Sequence, residues 1–288
     1  MNFLKQRWFQ LTVTIVVTIT VGLLLFWLTR EQTVTVSVDN LNVHSGPSLS
    51  DKTIHKAKLN SRLVKIGEKN LWYHVRYDDR HTGWVASWLV DRRTNLKKAT
   101  SLSEATIVID PGHGGADSGA LHTMDATKAK DMEKTYTLKV AQAVASDLRR
   151  RGAHVIMTRD TDKYVGLAPR PALSNEVQAD AFISIHFDSS PAVNQSSGLT
   201  TYYYHKGTSY GLAEALNKQM NHYPMPNKGI QFGNFEVIRE NQRPAVLLEM
   251  GYINDKKDFR TISGITYPYR VAHSVTTGLD QYFAAKAQ

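Results

Sequence analysis

Residues 11–29 read LTVTIVVTITVGLLLFWLT, nineteen positions without a charge. At about 1.5 Å per residue, a helix of that length spans about 28 Å, the thickness of a bilayer's hydrocarbon core. Lys5 and Arg7 precede it, and Trp8 and Trp27 stand near its edges. This predicts one transmembrane helix with its N-terminus inside the cell and the rest exported. A cleavable signal would have a shorter apolar stretch followed by small residues. Arg30-Glu31-Gln32-Thr33 follows instead, so an uncleaved anchor is expected. Thr12, Thr14, Thr18 and Thr20 either return hydrogen bonds to the helix or face another helix, which admits a polytopic membrane protein as an activating partner.

The pattern then changes to period two. Residues 33–38 (TVTVSV) alternate, and LNV at 41–43 runs into the turn-prone Ser45-Gly46-Pro47. LVKI, WYHVRY and GWV follow at short intervals, so residues 33–91 read as a small all-β barrel or sandwich. From residue 105 onward, short apolar runs alternate with helical spacing. TIVID (106–110), 154–159, AFISIHF (181–187), 199–204 and AVLLE (245–249) read as strands. Residues 133–151, 210–220 and 269–283 read as helices, the first closed by Gly152. This alternation predicts an α/β domain over 105–288, with a mostly parallel sheet covered by helices.

Charge refines the picture. The chain of 288 residues carries a formal net charge of +9. Arg92, Arg93, Lys97 and Lys98 crowd a short segment whose one acid is Glu104, so residues 92–104 read as a basic linker. It is either solvated or in touch with an anionic surface. The segment from 105 holds 20 basic and 18 acidic residues and no basic, aromatic stripe, so no nucleic-acid partner is expected. There is no cysteine, which excludes disulfides, thiolate metal sites and cysteine nucleophiles. A transition metal must be held by nitrogen and oxygen.

In a parallel sheet, sites lie beyond the carboxyl ends of strands. Three polar groups fall there: His113 after the first strand, His186 closing FISIH, and Glu249 closing AVLLE. Glu133 opens the long helix, where an acid also complements the helix dipole. Two imidazoles and one carboxylate form a zinc set with an open position, and a remaining Glu is then free to act as base.

Two resemblances add to this reading. LNVHSGPS, GEKNLWYHVRY and HTGWVASWLV resemble a bacterial SH3 (SH3b) domain, whose first motif usually has Arg where this chain has His44. IVIDPGHGG, Glu133, ADAFISIH and PAVLLEMGYIND resemble the zinc-dependent N-acetylmuramoyl-L-alanine amidases of the amidase-3 family. That resemblance implies His113, Glu133 and His186 as zinc ligands, Glu249 as the catalytic residue, and Arg170 as a support for the site or substrate. It implies peptidoglycan as substrate. An anchor, an SH3b module and an amidase in that order resemble membrane-anchored wall amidases of Gram-positive bacteria, with the catalytic domain outside the membrane facing the wall.

Two departures stand out. Asp188 occupies a position that is commonly Asn in the family, which puts an extra carboxylate near the metal. Residues 114–132 also run long, as a surface loop or a flap, and Asp131 within them is a weaker alternative ligand. Asp110 or Asp188 is expected to fix the tautomer of a ligand histidine. Two other readings stay open: a wall-binding protein without activity, and a zinc hydrolase that cuts a peptide bond within the stem.

Overall fold

The computed structural model describes residues 2–29, 31–123 and 127–286, with the backbone alone for 2–4 and 23–29. Helix α1 (Asn2–Thr29) contains the first apolar stretch. The hydroxyls of Thr12, Thr14, Thr18 and Thr20 each donate to the carbonyl four residues back, those of Trp8, Gln10, Thr14 and Val16 in turn. Among the described residues no helix is long and apolar enough to cross a membrane. The transmembrane helix expected over 11–29 is therefore not found there, and its second part lies outside the described side chains.

The β module has six antiparallel strands: β1 (Gln32–Thr35), β2 (Leu41–His44), β3 (Thr53–Ala57), β4 (Arg62–Lys69), β5 (Trp72–Arg76) and β6 (Thr82–Ala86). Their order is β1-β4-β5-β6-β2-β3. Period-two alternation turns Val34, Val36 and Val38 inward against Leu41, Val43, Val75, Val85 and Leu89. Asn40, Asn60 and Asn70 take positive φ, as asparagine does more readily than other side chains.

The connector is not simply solvated. Arg93, Lys97 and Lys98 are exposed, but Leu96 donates its N–H to Ser37 O and Ala99 to Asp39 O, and Leu102 is buried in the core of the following α/β domain. The two domains touch through it. Glu104, buried, accepts from Asn42 N–H at 3.0 Å and lies 3.3 Å from His44 Nε2, and Trp88 Nε1 donates to Ser103 O at 2.8 Å.

The α/β domain is built on β7 (Thr106–Pro111), β8 (His154–Met157), β9 (Ala181–Asp188), β10 (Leu199–Tyr203), β11 (Asn227–Phe232) and β12 (Ala245–Tyr252). Their order is β11-β10-β12-β9-β7-β8. Strands β12, β9, β7 and β8 are mutually parallel, and β10 reverses against β12 with β11 parallel to β10. The sheet is thus mostly parallel, as expected. Helices α2 (Glu133–Arg150), α4 (Lys206–Gln219) and α7 (Tyr267–Lys286) cover one face, packing on Ile107, Ile109, Ile183, Ile185, Val246 and Leu248. The short helices α3 (Pro169–Glu176) and α5 (Glu236–Arg239) lie on the other, over Val108, Phe182 and Leu247. Helix α6 (Lys256–Ile262) starts at Asp255, whose carboxylate caps the N–H groups of Lys257 and Asp258. The apolar pattern did not reveal α3, β11, α5 or α6. The helices are one or two turns long, too short to show periodicity, and the edge strand β11 does not alternate between buried and exposed positions.

Candidate active site

Strand alternation places Asp110, Ser184, His186 and Glu249 on the face of Val108, Phe182 and Leu247, at the C-terminal edge of the parallel strands. Glu249 is the register partner of His186, and Asp110 of Ser184. Glu133 reaches the same edge from the start of α2. One of its oxygens accepts from Ala120 N–H at 2.8 Å and the other from Phe187 N–H at 2.9 Å, which fixes the carboxylate plane. In that orientation Oε2 lies 3.0 Å from His113 Nε2 and Oε1 lies 3.1 Å from His186 Nδ1. The donor atoms of His113, Glu133 and His186 all fall within 4.8 Å of one another.

The backbone is shaped to allow this. His113 takes φ 61°, a left-handed conformation, and its ring meets Glu133. A Cβ on Gly112 would lie 2.2 Å from His186 Cε1. A Cβ on Gly119, at φ +65°, would lie 2.5 Å from Glu133 Oε2. Both glycines make room for ligand atoms, and two imidazoles with one carboxylate suit a zinc ion. Beside them Glu249 Oε2 is buried without a hydrogen-bond partner. An orphaned carboxylate oxygen next to a His-Glu-His set fits a metal site whose neighbouring base must take up a proton.

The family profile described as N-acetylmuramoyl-L-alanine amidase matches residues 107–281, which includes all four of these residues. The chain belongs to that family. A profile described as bacterial SH3 domain matches residues 39–91, so the β module is an SH3-like domain. The probable cell wall amidase LytH of Staphylococcus epidermidis is 36% identical over 264 residues, covering 90% of this chain and 87% of its own. Among solved structures, the catalytic domain of CwlV, an N-acetylmuramoyl-L-alanine amidase from Bacillus (Paenibacillus) polymyxa, is 35% identical with a TM-score of 0.58. It covers 62% of this chain and 98% of its own. An N-acetylmuramoyl-L-alanine amidase from Clostridium difficile is 30% identical with a TM-score of 0.59, covering 63% and 97%.

In this amidase the electrostatics separate the two glutamates. Burial alone would raise the Glu133 carboxyl, but hydrogen bonds from His113 and His186 and their charge outweigh it and bring it down to about 2. Glu249 lacks such partners. Burial, then the carboxylates of Glu133 and Asp188, push it well above the usual range. Glu133 is thus a standing anion, and Glu249 a carboxyl that readily holds a proton. A cation between them would bring the opposite charge to both.

The supports differ from expectation. Neither Asp110 nor Asp188 meets a ligand histidine. Asp117 does, with Oδ2 2.9 Å from His113 Nδ1. Asp110 is occupied otherwise, accepting from Thr158, Ser184 and Arg170. It lies below the edge, where strand pairing directs it into the protein. Asp188 caps the N–H of Ser189 at 2.7 Å. Arg170 is buried and donates to Asp110 Oδ1 at 2.8 Å, Pro111 O at 2.8 Å and His113 O at 3.1 Å, so it holds the loop that carries His113. Asp131 stands outside the His-Glu-His group.

One cation escaped notice in the sequence. Arg159 is fully buried and donates to the carbonyls of Pro111, Gly112, Thr161 and Lys134 and to Thr137 Oγ1. Nothing in the run MTRD marked it, because all but one of its partners lie more than twenty residues away in the chain. The long 114–132 stretch is strapped down at several points: Leu121 bridges to Met132, and His122 bonds Ile253 O at 2.9 Å while stacking on Phe259. Its residues 124–126 lie outside the described residues.

Proposed function

We propose that this protein is a membrane-anchored, zinc-dependent peptidoglycan hydrolase that cleaves the amide between N-acetylmuramic acid and the L-alanine of the stem peptide. The observation that carries this is Glu249, whose buried oxygen lacks a partner one strand away from the His113–Glu133–His186 set. The names and activities of the similar amidases support the choice of bond.

His113 Nε2, His186 Nδ1 and a Glu133 oxygen would hold the ion, with Asp117 fixing the His113 tautomer. Zinc at such a site supplies a Lewis acid that polarises an amide carbonyl and lowers the pKa of water toward about 7. Glu249 takes a proton from the attacking water, whose oxygen bonds to the lactyl carbonyl carbon. As the carbon–nitrogen bond breaks, Glu249 returns that proton to the alanine nitrogen. The products are a muramic acid carboxylate and a peptide with a free L-alanine amine. A carboxyl with a raised proton affinity suits this double role, since it must accept and then release one proton.

Placement at the cell membrane is part of the same proposal, with α1 as the anchor, its N-terminus cytoplasmic and the catalytic domain facing the wall. The uncharged run of residues 11–29 supports it, as do threonine hydroxyls satisfied inside their own helix. A polytopic membrane protein that docks on this helix is proposed as activator. The test uses full-length protein in detergent with zinc on purified peptidoglycan, followed by mass spectrometry. Denuded glycan and L-alanine-initiated peptides are expected, and Glu249→Gln is expected to yield neither. Cleavage at a normal rate by that variant would sink the mechanism.

A further inference from the structure

The rim of the active site differs from one flank to the other. Beyond Glu249 the sheet continues into β10, where Thr200 is the register partner of Glu249 and Tyr202 that of Leu247. Same-face diagonal neighbours in an antiparallel pair lie about 7–8 Å apart, so the half-buried Tyr202 ring stands beside the Glu249 carboxyl. The carboxylates of Asp188 and Glu249 reinforce burial in pushing its phenol up, which keeps it neutral. Phe235 meets this ring edge-on, with centroids 5.1 Å apart at 71°, and is itself 40% exposed. Gly233 lets the two rings approach, because a Cβ there would lie 2.6 Å from Phe235 Cε2 and 2.9 Å from Tyr202 Cδ1. The pair is therefore fixed in place, yet neither the metal set nor the proton transfer uses it. The flank beside His113 carries paired charges: Asp117 bonds the His113 ring, and Lys134 pairs with Asp162 at 2.8 Å.

The substrate is asymmetric in the same sense. On one side of the scissile amide is a pyranose, uncharged and with an apolar C–H face. On the other is a stem peptide with carboxylate and amine groups. An aromatic face takes the first well, and charged groups are better left beside charged or solvated partners. Resting on the amidase reading above, the geometry points to Tyr202 and Phe235 as an aromatic platform for the N-acetylmuramic acid ring, with the stem peptide lying over the charged flank near His113. Tyr202 and Phe235 then set which way the substrate lies across the sheet edge.

The two product halves test this separately. The probes are the disaccharide N-acetylglucosaminyl-N-acetylmuramic acid and the tripeptide L-Ala-γ-D-Glu-L-Lys, used as competitive inhibitors of full-length enzyme acting on a soluble disaccharide peptide. Tyr202→Ala and Phe235→Ala are each expected to raise the inhibition constant of the disaccharide about tenfold. The constant of the tripeptide stays unchanged, and Tyr202→Phe restores that of the disaccharide. The partly exposed Phe235 provides a variant that folds should Tyr202→Ala not do so. The inference is overturned if the disaccharide does not compete, if its constant does not move, or if both probes weaken together. Failure of the amidase reading would look different, because the unmodified enzyme would then release neither product.

Discussion

Glu249 and His186 are register partners on the parallel strands β12 and β9, so a buried carboxyl and an imidazole of the His-Glu-His group stand side by side at one end of the sheet. A slip of one residue would turn Glu249 into the core under α4. Glu249→Gln keeps the shape and removes the acceptor. Activity is expected to fall about 10²–10⁴-fold with metal content unchanged, measured by turnover and elemental analysis on the same sample. Glu133→Gln is expected to lose the metal itself. A Glu249→Gln protein without metal would show that Glu249 is a ligand instead.

Gly112→Ala places a methyl group where the His186 ring lies, 2.2 Å from Cε1. The Gly112 N–H donates to Ile185 O and its carbonyl accepts from Thr137 and Arg159, so the backbone is held and the ring must move. We expect the variant to fold, with its circular dichroism unchanged, and to bind zinc at least tenfold more weakly in a chelator competition. Unchanged affinity would mean that His186 has a second workable rotamer.

Asp117 Oδ2 lies 2.9 Å from His113 Nδ1, which leaves Nε2 for the metal. Asp117→Asn removes the charge that holds this tautomer. A loss of about 10–100-fold in metal affinity is expected, read by the same competition. Asp188→Asn, whose side chain touches no ligand histidine, should not reproduce it.

Arg159→Met would leave the carbonyls of Pro111, Gly112, Thr161 and Lys134 without this donor in the interior. Each keeps another donor (Arg170 on Pro111, Thr137 on Gly112 and Lys134, Lys163 N–H on Thr161), so what is lost is the set of bonds to a charged group, about 1.5–3 kcal/mol each. We expect a loss of about 3 kcal/mol or more in a denaturant titration. A neutral result would imply that water reaches this pocket.

Two groups at the domain junction make stability fall as pH rises. Burial raises Asp180 from 3.8 to about 6, against the opposing hydrogen bond from Thr106 N–H. Folding therefore favours its protonated form, a contribution complete below 3.8 and lost as pH rises through 6. Asp180→Asn should be the more stable protein above pH 6, by about 2 kcal/mol after allowance for its partial exposure. At His44 burial acts downward, but hydrogen bonds to Glu104 and Asp51 O prevail and raise it above 6.5. Its contribution is complete below 6.5 and lost above the raised value. Melting curves of the parent, Asp180→Asn and Glu104→Gln across pH 4–8 separate the two, since only the last should flatten the upper step.

The sequence by itself determined the two domains, their fold classes and which polar residues stand at the strand ends. Alternation at residues 33–38 and apolar runs such as AFISIHF are local patterns, and a buried strand must be apolar whatever surrounds it. His113, His186 and Glu249 could be placed because strand ends are marked by the residues that follow them. What the tertiary structure alone decided is who meets whom. Asp117, Arg159 and Gly119 serve the site through contacts set by a left-handed turn and by the distance between β7 and α2, and no periodicity encodes those. The packing of Glu104 on His44 was equally invisible, because both residues read as ordinary polar positions until two domains close over them. Pairing across a fold depends on the sum of all its packing, whereas periodicity depends only on neighbours in the chain.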